Sequence, residues 1–267
     1  MHKKKLLILW LVLGFLIFLG VQIIGSQPAN SAILRDIQRR GTLVVAVKDN
    51  VRPLGFRDDR GNLQGLEIDL ARRLAQDLLG RESTRDEAID LQPVNNSDRL
   101  NVVISGRVDV AIAQLTVTNS RSRLVEFSIP YYADGTSLVT KNLATTSEIT
   151  NQAIAVLNGS STAGEVRFRF PQARIIMVNS YQAGKEILDR GEAIAFAGDT
   201  SVLTGWVQTY PEYQLFSRLE LYSNSLAIAM PKGEQYQDLH QQVNILISRY
   251  QQEGWLQERI KYWGLSE

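Results

Sequence analysis

Hydrophobic and polar positions set up a rhythm of short apolar runs and longer amphipathic stripes. Thr42-Leu43-Val44-Val45-Ala46-Val47 is flanked by Gly41 and by Asp49-Asn50, which predicts a buried strand over Thr42 to Val47. Leu66, Leu70, Leu74 and Leu78 recur at i, i+4, i+8 and i+12, so the spacing predicts a helix over Leu66 to Leu79 that stops at Gly80. Pro53 and Asp58-Asp59-Arg60-Gly61 mark turns between them. Ser97 is placed to cap a short helix ending before Gly106, and Val108 to Ala113 predicts a second strand. Asn119 or Ser120 is placed to cap the next helix.

The pattern restarts near residue 140. Ala153–Leu157, Arg174–Val178 and Ala193–Ala197 predict strands, each followed by a helix. These helices open at Gly159 to Thr162, at Tyr181 (to Leu188) and at Asp199-Thr200 (to about Tyr210). Leu226 to Met230 predicts a late strand, and Tyr236 to Tyr250 and Trp255 to Trp263 predict terminal helices. Two sets of βα units imply two α/β lobes with mainly parallel sheets.

The first thirty-odd residues break this rhythm. His2-Lys3-Lys4-Lys5 is followed by Leu6 to Ile24 without a charge, and then by small polar residues with Ala29-Asn30-Ser31 as a cleavage pattern. Residues 1–32 therefore predict a secretory signal peptide, or an uncleaved membrane anchor, since about 20 apolar residues can span a bilayer. Either way the body is expected to be periplasmic or extracellular. Without Lys3, Lys4 and Lys5 the 29 basic residues become 26 against 28 acids. That balance offers no footprint for nucleic acid. With no cysteine and two histidines, His2 and His240, a disulfide framework, a thiolate nucleophile or a multi-His metal site is not expected, and no cofactor is implied.

Candidate chemistry gathers after the strands, where open α/β sheets bind ligands. Lys48-Asp49-Asn50, Gln114 to Arg121, Gly159 to Thr162, and Asp199-Thr200 are such segments. Arg121 can hold a carboxylate in a two-bond fork, Asp199 can take an ammonium, and the Gly159 loop can offer backbone N–H groups to an anion. Each has a plainer role too: a solvated arginine, a helix N-cap, a helix start.

Residues 41–132 resemble the first lobe of the bacterial extracellular solute-binding proteins for polar amino acids, which serve ABC importers. The resemblance is carried by Gly41 to Val47, Pro53, Phe56, Gly65-Leu66-Glu67-Ile68-Asp69-Leu70-Ala71, Gly106-Arg107-Val108-Asp109, Thr116-Val117-Thr118 with Arg121, and Phe127-Ser128-Ile129-Pro130-Tyr131-Tyr132. It implies a two-lobed, periplasmic-binding-protein-like (type II) α/β fold, with a cleft between the lobes. Lobe 1 would comprise 33–132 and 223–267 and lobe 2 133–222, joined by crossover strands near 130–140 and 222–226.

By resemblance, Arg121 meets the ligand α-carboxylate and Thr116 adds a hydroxyl. The carbonyl of Ala113 and the carboxylate of Asp199 meet the ammonium, and Ser161 or Thr162 supplies an amide. Lys48 and Arg99, with Asn96, resemble the basic side-chain pocket of members that take glutamate or aspartate, although Val51 stands where many members have an aromatic platform. The implied function is capture of a polar amino acid, acidic or amide, by hinge closure, with a membrane permease as partner and the chain a monomer. A membrane-anchored sensing domain and an enzyme on the same fold are the alternatives.

Overall fold

A computed structural model describes residues 32–80, 88–141 and 146–265; the signal or anchor segment lies outside the described residues. Helix α1 (Ala32–Arg40) leads into a first sheet of strands β1 (Leu43–Val47), β5 (Ile89–Pro93), β6 (Val110–Ile112), β7 (Glu126–Phe127) and β13 (Ala229–Met230), ordered β5-β1-β6-β13-β7. A small antiparallel sheet of β2 (Asn50–Val51), β3 (Gly55–Arg57) and β4 (Leu63–Gln64) sits beside it. The second large sheet runs β10-β9-β11-β8-β12, from β8 (Tyr132–Thr140), β9 (Ala153–Leu157), β10 (Arg174–Val178), β11 (Ala195–Asp199) and β12 (Gln214–Leu226). In each, three neighbouring strands are parallel and the others antiparallel.

Helix α2 (Leu66–Leu79) buries the leucine stripe at Leu66, Leu70, Leu74 and Leu78. Its start demands glycine: at Gly65, φ is 126° and a Cβ would lie 2.1 Å from the Leu54 carbonyl oxygen. Helices α8 (Gln237–Gln252) and α9 (Trp255–Tyr262) return to this lobe, burying Leu239, Val243, Leu246 and Ile247 in its core. Trp263 anchors them, its indole N–H donating to Asp69 Oδ2 at 2.9 Å and its ring meeting Phe56 edge-on.

Strands β8 and β12 tie the lobes together. They pair antiparallel from Thr140↔Gln214 to Tyr132↔Leu226, and Tyr132 and Leu226 belong to the core of the first lobe. Two long paired strands make a natural hinge.

Four expectations shift. The short helix α3 (Arg99–Ile104) has Asp98, not Ser97, at its N-cap position, because residues 95–98 are closed in a turn by the Asp98 N–H to the Asn95 carbonyl. Beyond Ser120 there is only a 3-10 turn over Arg121–Arg123. The late strand divides at Leu226 and Ala229. Strand β11 extends to Asp199, since its pairing with β8 continues to Asp199↔Thr136; Asp199 is both the strand's last residue and the N-cap position of α7 (Thr200–Thr209). Helices α4 (Thr146–Ile149), α5 (Thr162–Arg169) and α6 (Tyr181–Asp189) complete the second lobe.

Candidate functional site

The carboxyl ends of the parallel strands in both sheets face one interlobe cleft. They deliver Lys48 after β1, Asn95 and Asn96 after β5, Gln114 after β6, Asn158 after β9, Asn179 after β10 and Asp199 from β11.

Gln114 is the organising residue of the first lobe's edge. Its φ is 52°, a left-handed conformation unusual for a side-chain-bearing residue, and such strain is held only where the surroundings dictate it. Here they do. The Gln114 N–H donates to Glu67 Oε1 at 2.7 Å, and its carbonyl accepts from Arg99 Nη1 at 2.6 Å. Its side-chain amide donates to Asp199 Oδ2 at 2.6 Å and approaches the Tyr181 hydroxyl at 3.4 Å, both in the other lobe. Glu67 is fully buried and also accepts from the Tyr131 hydroxyl at 2.5 Å. Burial pushes its carboxyl up, and those two donors work against it.

Arg99 is a brace. Its guanidinium donates to the carbonyls of Ala113 (3.0 Å), Gln114 and Asn96 (3.2 Å), and it does not line the cavity described below. The Ala113 carbonyl, expected to face an ammonium, is thus already engaged. Thr116 is buried; its carbonyl accepts from Arg121 Nη1 at 2.9 Å, which aims the guanidinium across the strand end. Burial lowers the pKa of Arg121, and Asp199 is close enough to oppose that.

Asp199 Oδ1 is buried without a hydrogen-bond partner among the described residues, as is Thr162 Oγ1. Burial, then the nearby Asp134, pushes the Asp199 carboxyl up to about 7. Asp134 itself accepts from the Ser201 N–H at 3.0 Å and from the Ser201 hydroxyl. The Thr162 N–H donates to Ser160 Oγ at 3.1 Å, and Ser161 occupies the N-cap position of α5 without a side-chain capping bond.

Beside this group lies a cavity of about 640 Å³. The first lobe contributes Lys48, Asn50, Val51, Arg52, Asn95, Asn96 and Ser97; the second contributes Asn158, Asn179, Tyr181, Lys185 and one face of α7. Lys48 is buried, donates to the Val94 carbonyl at 2.8 Å, and has its pKa lowered by burial and then by Arg99. Of the expected residues, Lys48 and Asn96 line this space, while Arg121, Thr116, Ala113 and Arg99 stand behind Gln114 on the first lobe. Asp199 meets them from the second. His240, on α8, is remote, its Nε2 bonded to the Pro231 carbonyl.

Gln114, Glu67, Tyr181 and Trp206 escaped the sequence-based expectations. Glu67 reads as a first-turn acid suited to the helix dipole, and the aromatic pair reads as core. Only Gln114, polar between the buried strand and Thr116, carried a signal.

The lobes touch at Gly205, where a Cβ would meet the Arg52 carbonyl oxygen at 2.3 Å and Pro53 Cδ at 3.2 Å. Gly205→Ala should leave folding intact, since alanine is the better helix former, yet hold the lobes apart. Ligand affinity should fall about tenfold or more, as displacing backbone across a packed contact costs roughly 1–3 kcal/mol. Small-angle scattering at saturating ligand should give a larger radius than wild type; an unchanged radius and affinity would refute the contact's role.

The family model for bacterial extracellular solute-binding proteins, family 3, matches residues 43–266. The chain belongs to that family. This solute-binding protein is 25% identical over 243 residues to the ABC transporter glutamine-binding protein GlnH of Bacillus subtilis (strain 168), covering 89% of this chain and 86% of that one. It is 26% identical over 258 residues to the L-cystine-binding protein TcyJ of Escherichia coli (strain K12), covering 88% and 87%. The solute receptor for L-cysteine of Neisseria gonorrhoeae shares the fold, with a TM-score of 0.75 and 24% identity over 86% of this chain and 92% of that one. So does the substrate-binding protein AbpA of Streptococcus pneumoniae, bound to L-arginine, with a TM-score of 0.75 and 24% identity over 86% and 97%. Among the described residues, no helix is long and apolar enough to cross a membrane, and no acid or histidine cluster could hold a metal ion.

Proposed function

We propose that this solute-binding protein captures a polar α-amino acid outside the cytoplasmic membrane and presents it, closed in the cleft, to an ABC permease. The observation that carries this is Asp199. It is a buried carboxylate with one oxygen lacking a donor, set across the cleft from the Arg121 guanidinium. A zwitterion satisfies both at once, its carboxylate on Arg121 and its ammonium on Asp199 Oδ1, and so bridges the lobes and favours the closed state. Thr162 Oγ1 and Thr116 stand ready as further polar partners. The binding functions named for the relatives (glutamine, cystine and arginine) belong to the same ligand class.

The side chain would enter the cavity at Lys48 and Asn96, where Asn96 Oδ1 is buried without a hydrogen-bond partner among the described residues. A buried ammonium beside an amide suits a carboxylate or carboxamide, so glutamate, aspartate and their amides are our assigned ligands, with Arg99 bracing the strand end. Binding is preferred over catalysis because the cleft groups pair with ligand charges and leave no acid–base couple at a reacting atom.

Calorimetry of the purified, ligand-stripped protein against the twenty amino acids should give a micromolar or tighter hit, about −8 kcal/mol, led by an acidic or amide amino acid. No binding by any of them would overturn the function. A basic leader would overturn the side-chain assignment alone.

A further inference from the structure

We infer that, beyond the amino acids assigned above, the site takes a longer ligand and holds it more tightly: an α-amino acid whose side chain continues to a distal carboxylate, as in a γ-glutamyl peptide. This rests on the head-group assignment above and adds a second subsite to it. Helix α7 starts at Asp199 and runs along the cavity, presenting Val202, Gly205, Trp206, Thr209 and Tyr210 on one face. Trp206 stands two turns after Asp199, about 10 Å along the axis, and Tyr210 one turn further. A glutamate side chain carries its carboxylate only about 5 Å from Cα, at roughly 1.5 Å per bond. Such a ligand would leave the far half of the cavity without a partner.

The far half is built to receive an acceptor. Trp206 is 7% exposed and lines the cavity, and its indole Nε1 is buried with no acceptor among the described residues. A buried N–H left unbonded costs about 1–3 kcal/mol, so the site favours a ligand that supplies an oxygen there. Lys185 lines the same end, its ammonium 4.8 Å from the Tyr210 ring centre and bonded to Asp189 at 2.7 Å. Arg52 faces it from the first lobe. With Lys48, three cations line the cavity, and among its described lining residues there is no carboxylate. Although Lys185 is paired with Asp189 and the Arg52 guanidinium stacks on Phe56, the net lining charge is positive, which favours an anionic end over the guanidinium of an arginine or the second ammonium of a cystine. One further residue adds about 3.5 Å to an extended ligand, which brings its terminal carboxylate within reach of Trp206.

The test is calorimetry of the purified protein with γ-L-glutamylglycine, L-glutamate and L-arginine. The dipeptide should bind at least tenfold more tightly than glutamate, with arginine weakest. Trp206→Phe, which keeps an aromatic ring and removes the N–H, should cost the dipeptide about tenfold and leave glutamate unchanged, and Lys185→Gln at the half-buried far end should do the same. Thermal melts check that both variants fold. If glutamate binds as tightly as the dipeptide, or both variants weaken the two ligands equally, the distal subsite is refuted and the head-group assignment stands. If arginine binds and neither glutamate nor the dipeptide does, the distal subsite and the side-chain assignment fall and the head-group assignment stands; if none of the three binds, the head-group assignment falls as well.

Discussion

Arg121→Ala should remove at least about thirtyfold of the affinity for whichever amino acid binds best. Truncating one partner of a buried charge pair costs about 2–5 kcal/mol, because the other charge is left unpaired in a closed site. Arg121 already spends Nη1 on the Thr116 carbonyl, which fixes the plane of the guanidinium before any ligand arrives. Arg121→Lys should therefore fall between wild type and alanine: it keeps the charge and loses the fork. Calorimetry reads both, with melting temperature as the control for folding. Near-wild-type affinity in Arg121→Ala would place the ligand carboxylate elsewhere.

The second large effect is on pH. The Asp199 carboxyl is pushed up to about 7, first by burial and then by Asp134; Glu165 adds to this, while the Gln114 amide and Arg99 oppose it. An arriving ammonium favours the ionised form, so the value in the complex lies lower. Affinity should accordingly be greatest above pH 7 and weaken below it, approaching tenfold per pH unit, with about one proton released per ligand bound near pH 6. Stability of the ligand-free protein should respond in the opposite sense. A carboxyl raised above its unfolded value of 3.8 binds its proton more tightly in the fold, so stability rises as pH falls from about 7 toward 3.8. Asp199→Asn should flatten both profiles. Titrations in buffers of differing ionisation enthalpy read the proton count, and affinity that stays constant from about pH 5.5 to 8 would refute the Asp199–ammonium pairing.

Much of the framework was legible because it depends on periodicity. The leucine stripe placed α2 to the residue, and the β-branched runs placed β1, β9 and β10. Arg121 and Asp199 were read as ligand groups from their place at strand ends, and the fold sets their charges near each other at the cleft. The hidden parts depend on contacts distant in sequence. Nothing local distinguishes Glu67 from any first-turn acid; its meaning comes from the Gln114 N–H and the Tyr131 hydroxyl, brought to it by the sheet. Arg99 was read as facing the side-chain pocket, and the fold turns it onto the Ala113 and Gln114 carbonyls instead. Trp206 reads as core in the sequence, and only the packing of α7 along the cavity shows its indole N–H to be unmatched.

Gln114 bears on time as well as on affinity. With its amide on Asp199, the protein supplies its own bridge between the lobes, at the oxygen beside the one a ligand would use. A molecule in solution cannot reach that carboxylate until the bridge has parted and the cleft has swung apart. The observed association rate should then climb with ligand concentration only as far as the opening rate and level off there. At high ligand concentration, capture should be paced by how often one glutamine lets go.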